Sequence, residues 1–183
     1  MATRARDRLL QAARDLFYAE GIRAVGVERL LDRSGVGRAS FYRHFDSKDA
    51  LVVAMLRGYD EEYRAWLQAR VAELGGEPLV LFDALAERAE QSGFRGCAFL
   101  NAMAEVSDPD SAVHRMGVEH KRAVTAYVAA LLDEAGYADH DALARQLMVL
   151  MDGATVTAHY ERTTDAARRA RAAAAATLAA AAR

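Results

Sequence analysis

Residues 30–48 read LLDRSGVGRASFYRHFDSK, from Leu30 to Lys48, and their spacing decides the fold. Leu30 and Leu31 close the apolar face of a short helix. Gly35 can end it, because glycine takes the left-handed backbone of a helix terminus without the strain a Cβ brings. Val36 plugs the corner, Gly37 serves as a modest N-cap, and a second helix runs from Arg38 to Phe45. Phe41 and Phe45, four apart, bury one side of that helix; Arg38, Ser40, Tyr42, Arg43 and His44 turn toward more open faces. A basic, hydroxyl-bearing helix of this kind suits a duplex groove, with cations and hydroxyls for phosphates and the helix start for base edges. The rival reading is an ordinary helical hairpin whose arginines are merely solvated. Against it, Arg29, Arg33, Arg38, Arg43 and Lys48 crowd into twenty residues around the glycine turn.

Upstream, Leu9, Ala13, Leu16 and Phe17 recur at helical spacing over residues 4–20, stopping at Gly21, and a second helix starts near Val27 after Gly26. Downstream, Asp46 or Ser47 can cap a long helix carrying Leu51, Met55, Tyr59, Tyr63, Trp66 and Arg70 toward Leu74 and the Gly75-Gly76 break. Pro78 opens a fifth helix with Leu79, Phe82, Leu85 and Ala89 on one face. Residues 97–106, CAFLNAMAEV, are apolar nearly all round, a pattern that belongs inside a domain. Asn101 and Glu105 share a face of it. A seventh helix stripes Val113, Met116, His120, Val124, Tyr127 and Leu131 and closes at Gly136. An eighth, about 141–162, aligns Leu143, Leu147, Leu150, Ala154 and Ala158. Thr164 or Asp165 caps a ninth through residues 166–183, where twelve alanines in eighteen residues favour helix that frays at its end. Sustained period-two alternation and Asn-Gly or Asp-Gly hairpin turns are missing, so the chain reads as all-α.

The 183 residues suffice for one large or two small domains with a real core. With 52% hydrophobic and 27% charged residues the composition is that of a soluble globular protein, and no bulky apolar run is long enough for a membrane span. The N-terminus has no signal-peptide core, so a cytoplasmic location is expected. Cys97 is the single cysteine, which excludes an internal disulfide. Net charge is −2, divided unevenly: residues 1–50 hold ten Lys/Arg against seven Asp/Glu, the remainder fourteen against nineteen. A basic front and an acidic body suit a head that faces DNA and a body that avoids it.

Leu9–Gly21, LLQAARDLFYAEG, followed by Gly35–Lys48, GVGRASFYRHFDSK, and the capped helix start through Leu51, resembles the TetR family of bacterial transcriptional regulators. Gly96–Ala102, GCAFLNA, is similar to a segment of one group of them. The resemblance implies a three-helix helix-turn-helix DNA-binding domain, residues 1–48. A larger helical domain for effector binding and dimerisation, residues 49–183, would follow, for about nine helices in all. It implies a homodimer that binds a palindromic operator in double-stranded DNA and lets go when a small molecule occupies the larger domain. By position, Ser40, Tyr42, His44 and Lys48 would hold phosphates, with Arg43 also on the DNA face. Arg38 would read bases, with Gly37 and Ala39 permitting close approach. Arginine can address guanine with two parallel hydrogen bonds, worth ~1–3 kcal/mol of discrimination. Gly26 and Gly37 depart from the Ser or Thr caps common in the family, and Leu31 from a small residue, which leaves a wider gap between the two helices.

An effector pocket would draw on Trp66, Phe82, Phe99, Met103, Met116 and Met151, large or adaptable apolar residues that elsewhere are plain core. Asn101 with Glu105 could orient a polar ligand, and His120 interrupts an apolar stripe. Leu147, Leu150 and Met151 with the small Gly153, Ala154 and Ala158 nominate the eighth helix, beside the ninth, as a dimer interface. Other chemistries find little footing. The histidines lack metal-site spacing, and neither a phosphate loop nor a nucleophile elbow occurs, so no metal, cofactor or catalytic residue is expected. An all-helical small-molecule enzyme, or a redox sensor acting through Cys97 at a helix start, is the competing class.

Overall fold

The structure is a computed structural model that describes residues 2–181; the last two residues of the expected alanine-rich helix, Ala182 and Arg183, lie outside the described residues. Nine helices are found among the described residues: α1 Ala2–Glu20, α2 Val27–Ser34, α3 Arg38–His44, α4 Lys48–Glu73, α5 Val80–Ala89, α6 Ala98–Glu105, α7 Ala112–Glu134, α8 His140–Glu161 and α9 Asp165–Ala179. No strand occurs among them.

Packing divides the chain into two units. The first comprises Met1–Glu61 with Ala98–Glu119, the second Glu62–Cys97 with His120–Arg183. This division differs from the functional boundary expected at residue 48: it falls inside α4 and inside α7, and it assigns α6 to the unit that contains α2 and α3.

In the first unit α1 packs on α2 and α3. Leu9, Ala13 and Phe17 of α1, Leu30 of α2, Phe41 of α3 and Leu51 and Val52 of α4 are buried together with Val36 at the corner. Gly35 ends α2 at φ +62°, ψ 29°, donating its N–H to the Leu31 carbonyl at 2.9 Å. The left-handed turn expected there is the one the chain makes. Ser47, of the two candidates, caps α4: its Oγ accepts the Ala50 N–H at 3.0 Å. The α6 expectation is corrected. Only Phe99 and Ala102 are buried, while Asn101 and Ala104 are exposed. Small alanines made the segment look apolar all round, and one face suffices to seat so short a helix.

In the second unit α5, α8 and α9 pack on one another. Their shared core includes Leu81, Phe82, Leu132, Leu147, Met151 and Ala174, all fully or nearly fully buried. Ala166, Ala167, Ala170, Ala174 and Leu178 form the buried face of α9, so alanine there provides close helix approach as well as propensity. Thr164 stands at the N-cap of α9 without a side-chain cap bond; Thr163 Oγ1 accepts the Asp165 N–H instead, at 3.2 Å. Arg70 of α4 donates Nε and Nη2 to the Glu87 carboxylate of α5, each at 2.7 Å, and Nη1 to Glu73 at 2.7 Å. These bonds hold the Glu87 carboxyl below its ordinary range and push the Arg70 guanidinium up.

Candidate nucleic-acid interface

The outward face of the first unit is built by the fixed side of α3. Phe41 is 0% exposed and Phe45 5%, with their rings 6.1 Å apart. Arg6 of α1 lies over the Phe45 ring at 5.6 Å. Once that edge is anchored, the helical period turns Arg38, Ala39, Tyr42 and Arg43 to solvent, with Ser40 and His44 at the margins. The helix start is bare. Gly37, at φ −69°, ψ 151°, makes no side-chain cap, and nothing lies within 4 Å of where its Cβ would be. Its carbonyl accepts the Ser40 and Phe41 N–H groups at 2.9 and 3.0 Å. A duplex can approach this backbone as closely as the glycine allows.

The cations on this face are not equivalent. Arg38 is ion-paired with Glu28 of α2. Arg43 donates to Ser40 Oγ at 3.0 Å, joining an expected phosphate contact to a second residue of the expected DNA face. Arg29 and Arg33 reach back to Glu20 and Asp15 of α1, at 3.0 and 3.1 Å. They tie α1 to α2 while staying as exposed as Arg38. These pairs are exposed and individually weak, so each can reorganise at little cost.

Two of the expected phosphate contacts, Lys48 and His44, also engage the protein itself. Lys48 is half-buried, and its ammonium donates to the carbonyls of Ile22 at 2.9 Å and Val25 at 3.2 Å, so two of its three donors fix the α1–α2 turn. His44 is half-buried, and its Nε2 is buried without a hydrogen-bond partner. Sequence reasoning also missed Glu28 as the partner of Arg38, and Glu105, which accepts the Arg23 N–H at 2.7 Å across 82 residues. A glutamate on the polar edge of α6 was visible; its target was not.

The eight expected effector residues are divided between the two units, four in each. In the first, Phe99 packs edge-on to Tyr59 with ring centres 6.0 Å apart, Met116 is buried, and Met103 sits where a side chain on Gly117 would be. Asn101 is the member that lines a narrow cleft of about 30 Å³ among α1, α4 and α6, with Arg14, Tyr59 and Glu105. In the second, Phe82 and Met151 belong to the core. Trp66 and the buried His120 gather around Tyr63, whose ring centre lies 5.6 Å from Trp66 and 5.3 Å from His120, and Arg88 lies 5.0 Å from both the Tyr63 and Trp66 rings. A further open groove of about 320 Å³ runs between α4 and α7 past Gln68, Tyr127 and Glu134, none of them expected. Burial, then Glu134, pushes the Tyr127 hydroxyl up.

The expected dimer residues are also re-sorted. Leu147, Met151, Ala154 and Ala158 are buried within the chain's own packing, while Leu150 is partly buried and Gly153 exposed. Val149, Val156 and Tyr160, at 71%, 50% and 67% exposure, line the opposite, open side of α8 with Gly153. No group of acidic, histidine or cysteine side chains able to hold a metal occurs among the described residues, and no helix there is long and apolar enough to cross a membrane.

Residues 9–55 match the family model for bacterial regulatory proteins of the tetR family. The chain is 43% identical over 54 residues to the HTH-type transcriptional repressor KstR2 of Rhodococcus jostii, covering 30% of this chain and 26% of that protein. It is 36% identical over 76 residues to the HTH-type transcriptional regulator TcmR of Streptomyces glaucescens, covering 42% and 33%. These matches span about a third or less of the relatives' own length. The crystal structure of SCO4454, a TetR-family transcriptional regulator from Streptomyces coelicolor, superposes with a TM-score of 0.85 at 35% identity, covering 93% of this chain and 88% of that one. A helix-turn-helix with an open, arginine-led second helix and a likeness that runs nearly the whole length of a solved regulator give one conclusion: the chain belongs to the TetR family of bacterial transcriptional regulators.

Proposed function

We propose that the protein is a cytoplasmic repressor that grips a palindromic operator as a homodimer and is released by a small molecule. The observation that carries this is the bare start of α3, where Gly37 leaves the backbone open beside the exposed Arg38. Arg38 leaves Glu28 to read a base edge, while Ser40, Tyr42 and Arg43 hold phosphates. Residues 1–48 act as the DNA head and residues 49–183 as the sensing and pairing body. The open stripe of α8, Val149, Gly153, Val156 and Tyr160, is the pairing face: Gly153 lets two backbones approach, and the flanking apolar groups lose water on contact. The effector meets the aromatic wall of Tyr63, Trp66 and His120.

Two heads must sit ~34–36 Å apart to read successive major grooves. An effector shifts that spacing only as far as it prefers the released form. A mobility-shift assay on the DNA just upstream of the protein's own gene, with a panel of small molecules, tests the whole reading. A discrete complex that one molecule dissolves supports it; binding to no duplex at low salt refutes it.

A further inference from the structure

The α1–α2 turn, residues 21–26, is gripped from two helices remote in sequence. Lys48, at the start of α4, takes the Ile22 and Val25 carbonyls. Glu105, at the end of α6, takes the Arg23 N–H at 2.7 Å. Its carboxylate oxygens lie 3.1 and 3.2 Å from the place a Cβ would occupy on Gly21, whose φ is +93°. Glycine at 21 therefore serves twice, supplying the left-handed backbone and the room for the carboxylate. A bond from an amide to a carboxylate is stronger than a neutral one. The same carboxylate lines the narrow α1–α4–α6 cleft beside Arg14 and Asn101.

We propose that Glu105 is a positioning residue for DNA recognition: its bond to the Arg23 amide ties the state of α6 to the α1–α2 turn, and through α1 to the helices that present Arg38. The α1 helix packs directly on α2 and α3, so a turn released at one end of α1 and α2 alters the frame in which α3 is held. The inference rests on the DNA-binding reading above. It carries a reciprocal consequence: if α6 biases the DNA face, duplex on α3 must bias α6 by the same factor.

The test is amide hydrogen exchange in the full-length protein, with and without a duplex selected from a randomised library, for wild type, Glu105→Ala and Glu105→Gln. In the wild type, duplex changes protection across residues 98–105 and at Arg23. In Glu105→Ala that change vanishes at α6 while the duplex still protects α3, and duplex affinity falls on the order of tenfold. Glu105→Gln keeps an acceptor oxygen and restores part of the α6 response. Because each variant is compared with itself, a general loss of stability does not imitate the effect. An α6 response in Glu105→Ala equal to the wild type's, or none in the wild type, overturns the proposal while DNA binding stands. A wild type that binds no duplex removes both.

Discussion

Arg38 is already engaged before DNA arrives. Its partner Glu28 is as exposed as it is, so the pair holds the guanidinium near the helix start without locking it there. Arg38→Ala is expected to relax sequence preference by ~1–3 kcal/mol while leaving salt dependence nearly intact, read by competition between selected and scrambled duplexes. Tyr42→Ala is expected to weaken all duplexes alike, because a phosphate contact carries no sequence information. Lys48→Ala belongs to a different class. It empties two carbonyls of a charged donor, so the melting point of the protein should fall with or without DNA, by a destabilisation of about 1.5–3 kcal/mol. If Lys48→Ala melts like the wild type and loses only DNA affinity, the turn-fixing role is wrong. Arg38, Tyr42 and Arg43 were legible because Phe41 and Phe45 set the helix phase. The bonds Lys48 makes within the protein were not, because the Ile22 and Val25 carbonyls that accept its ammonium come from distant chain.

At the level of helices, the punctuation was legible and the partners were not. Gly35 takes the left-handed turn that its place after Leu30 and Leu31 required. Gly35→Ala is expected to cost ~1–2 kcal/mol in thermal or chemical melts, since a Cβ is strained at that φ. Gly26 and Gly37 cap α2 and α3 with no side-chain bond. Gly26→Ser should gain a few tenths of a kcal/mol, as its extended backbone suits a hydroxyl cap and its surroundings are open. The α4–α5 contact adds a pH dependence. Because Arg70 holds Glu87 below its ordinary value in the folded state, that stabilisation is full above the unfolded carboxylate pKa of ~4.3 and is lost as pH falls through the folded one. Both side chains are partly exposed and solvent screens the pair, so the effect is small. Glu87→Gln should flatten the acid limb of stability against pH, and an unchanged acid limb would dismiss the pair. The α6 segment misled because its composition could not say which of its sides would be used.

For the whole molecule, the all-α class and the order of helices followed from periodicity and glycine stops. The pairing face is not legible in the same way, because the same apolar spacing marks a face packed inside one chain and a face packed against another. Leu147, Met151, Ala154 and Ala158 are buried within the chain while Val149, Val156 and Tyr160 are open, which is why the open side is the one proposed for pairing. Val156→Asp is expected to yield monomers in light scattering and to lower operator affinity on the order of 10²-fold, the gain two linked sites hold over one. A Val156→Asp protein that stays dimeric would move the pairing face elsewhere. The claim on which the rest turns is that the open face of α3 reads sequence through Arg38. The measurement is fluorescence anisotropy of wild type and Arg38→Ala on a selected palindromic duplex and its scrambled counterpart, across a salt series. The wild type should favour the palindrome with affinity falling steeply as salt rises, and Arg38→Ala should keep the salt slope but lose the preference. Equal binding of both duplexes by the wild type, or an undiminished preference in Arg38→Ala, would contradict it.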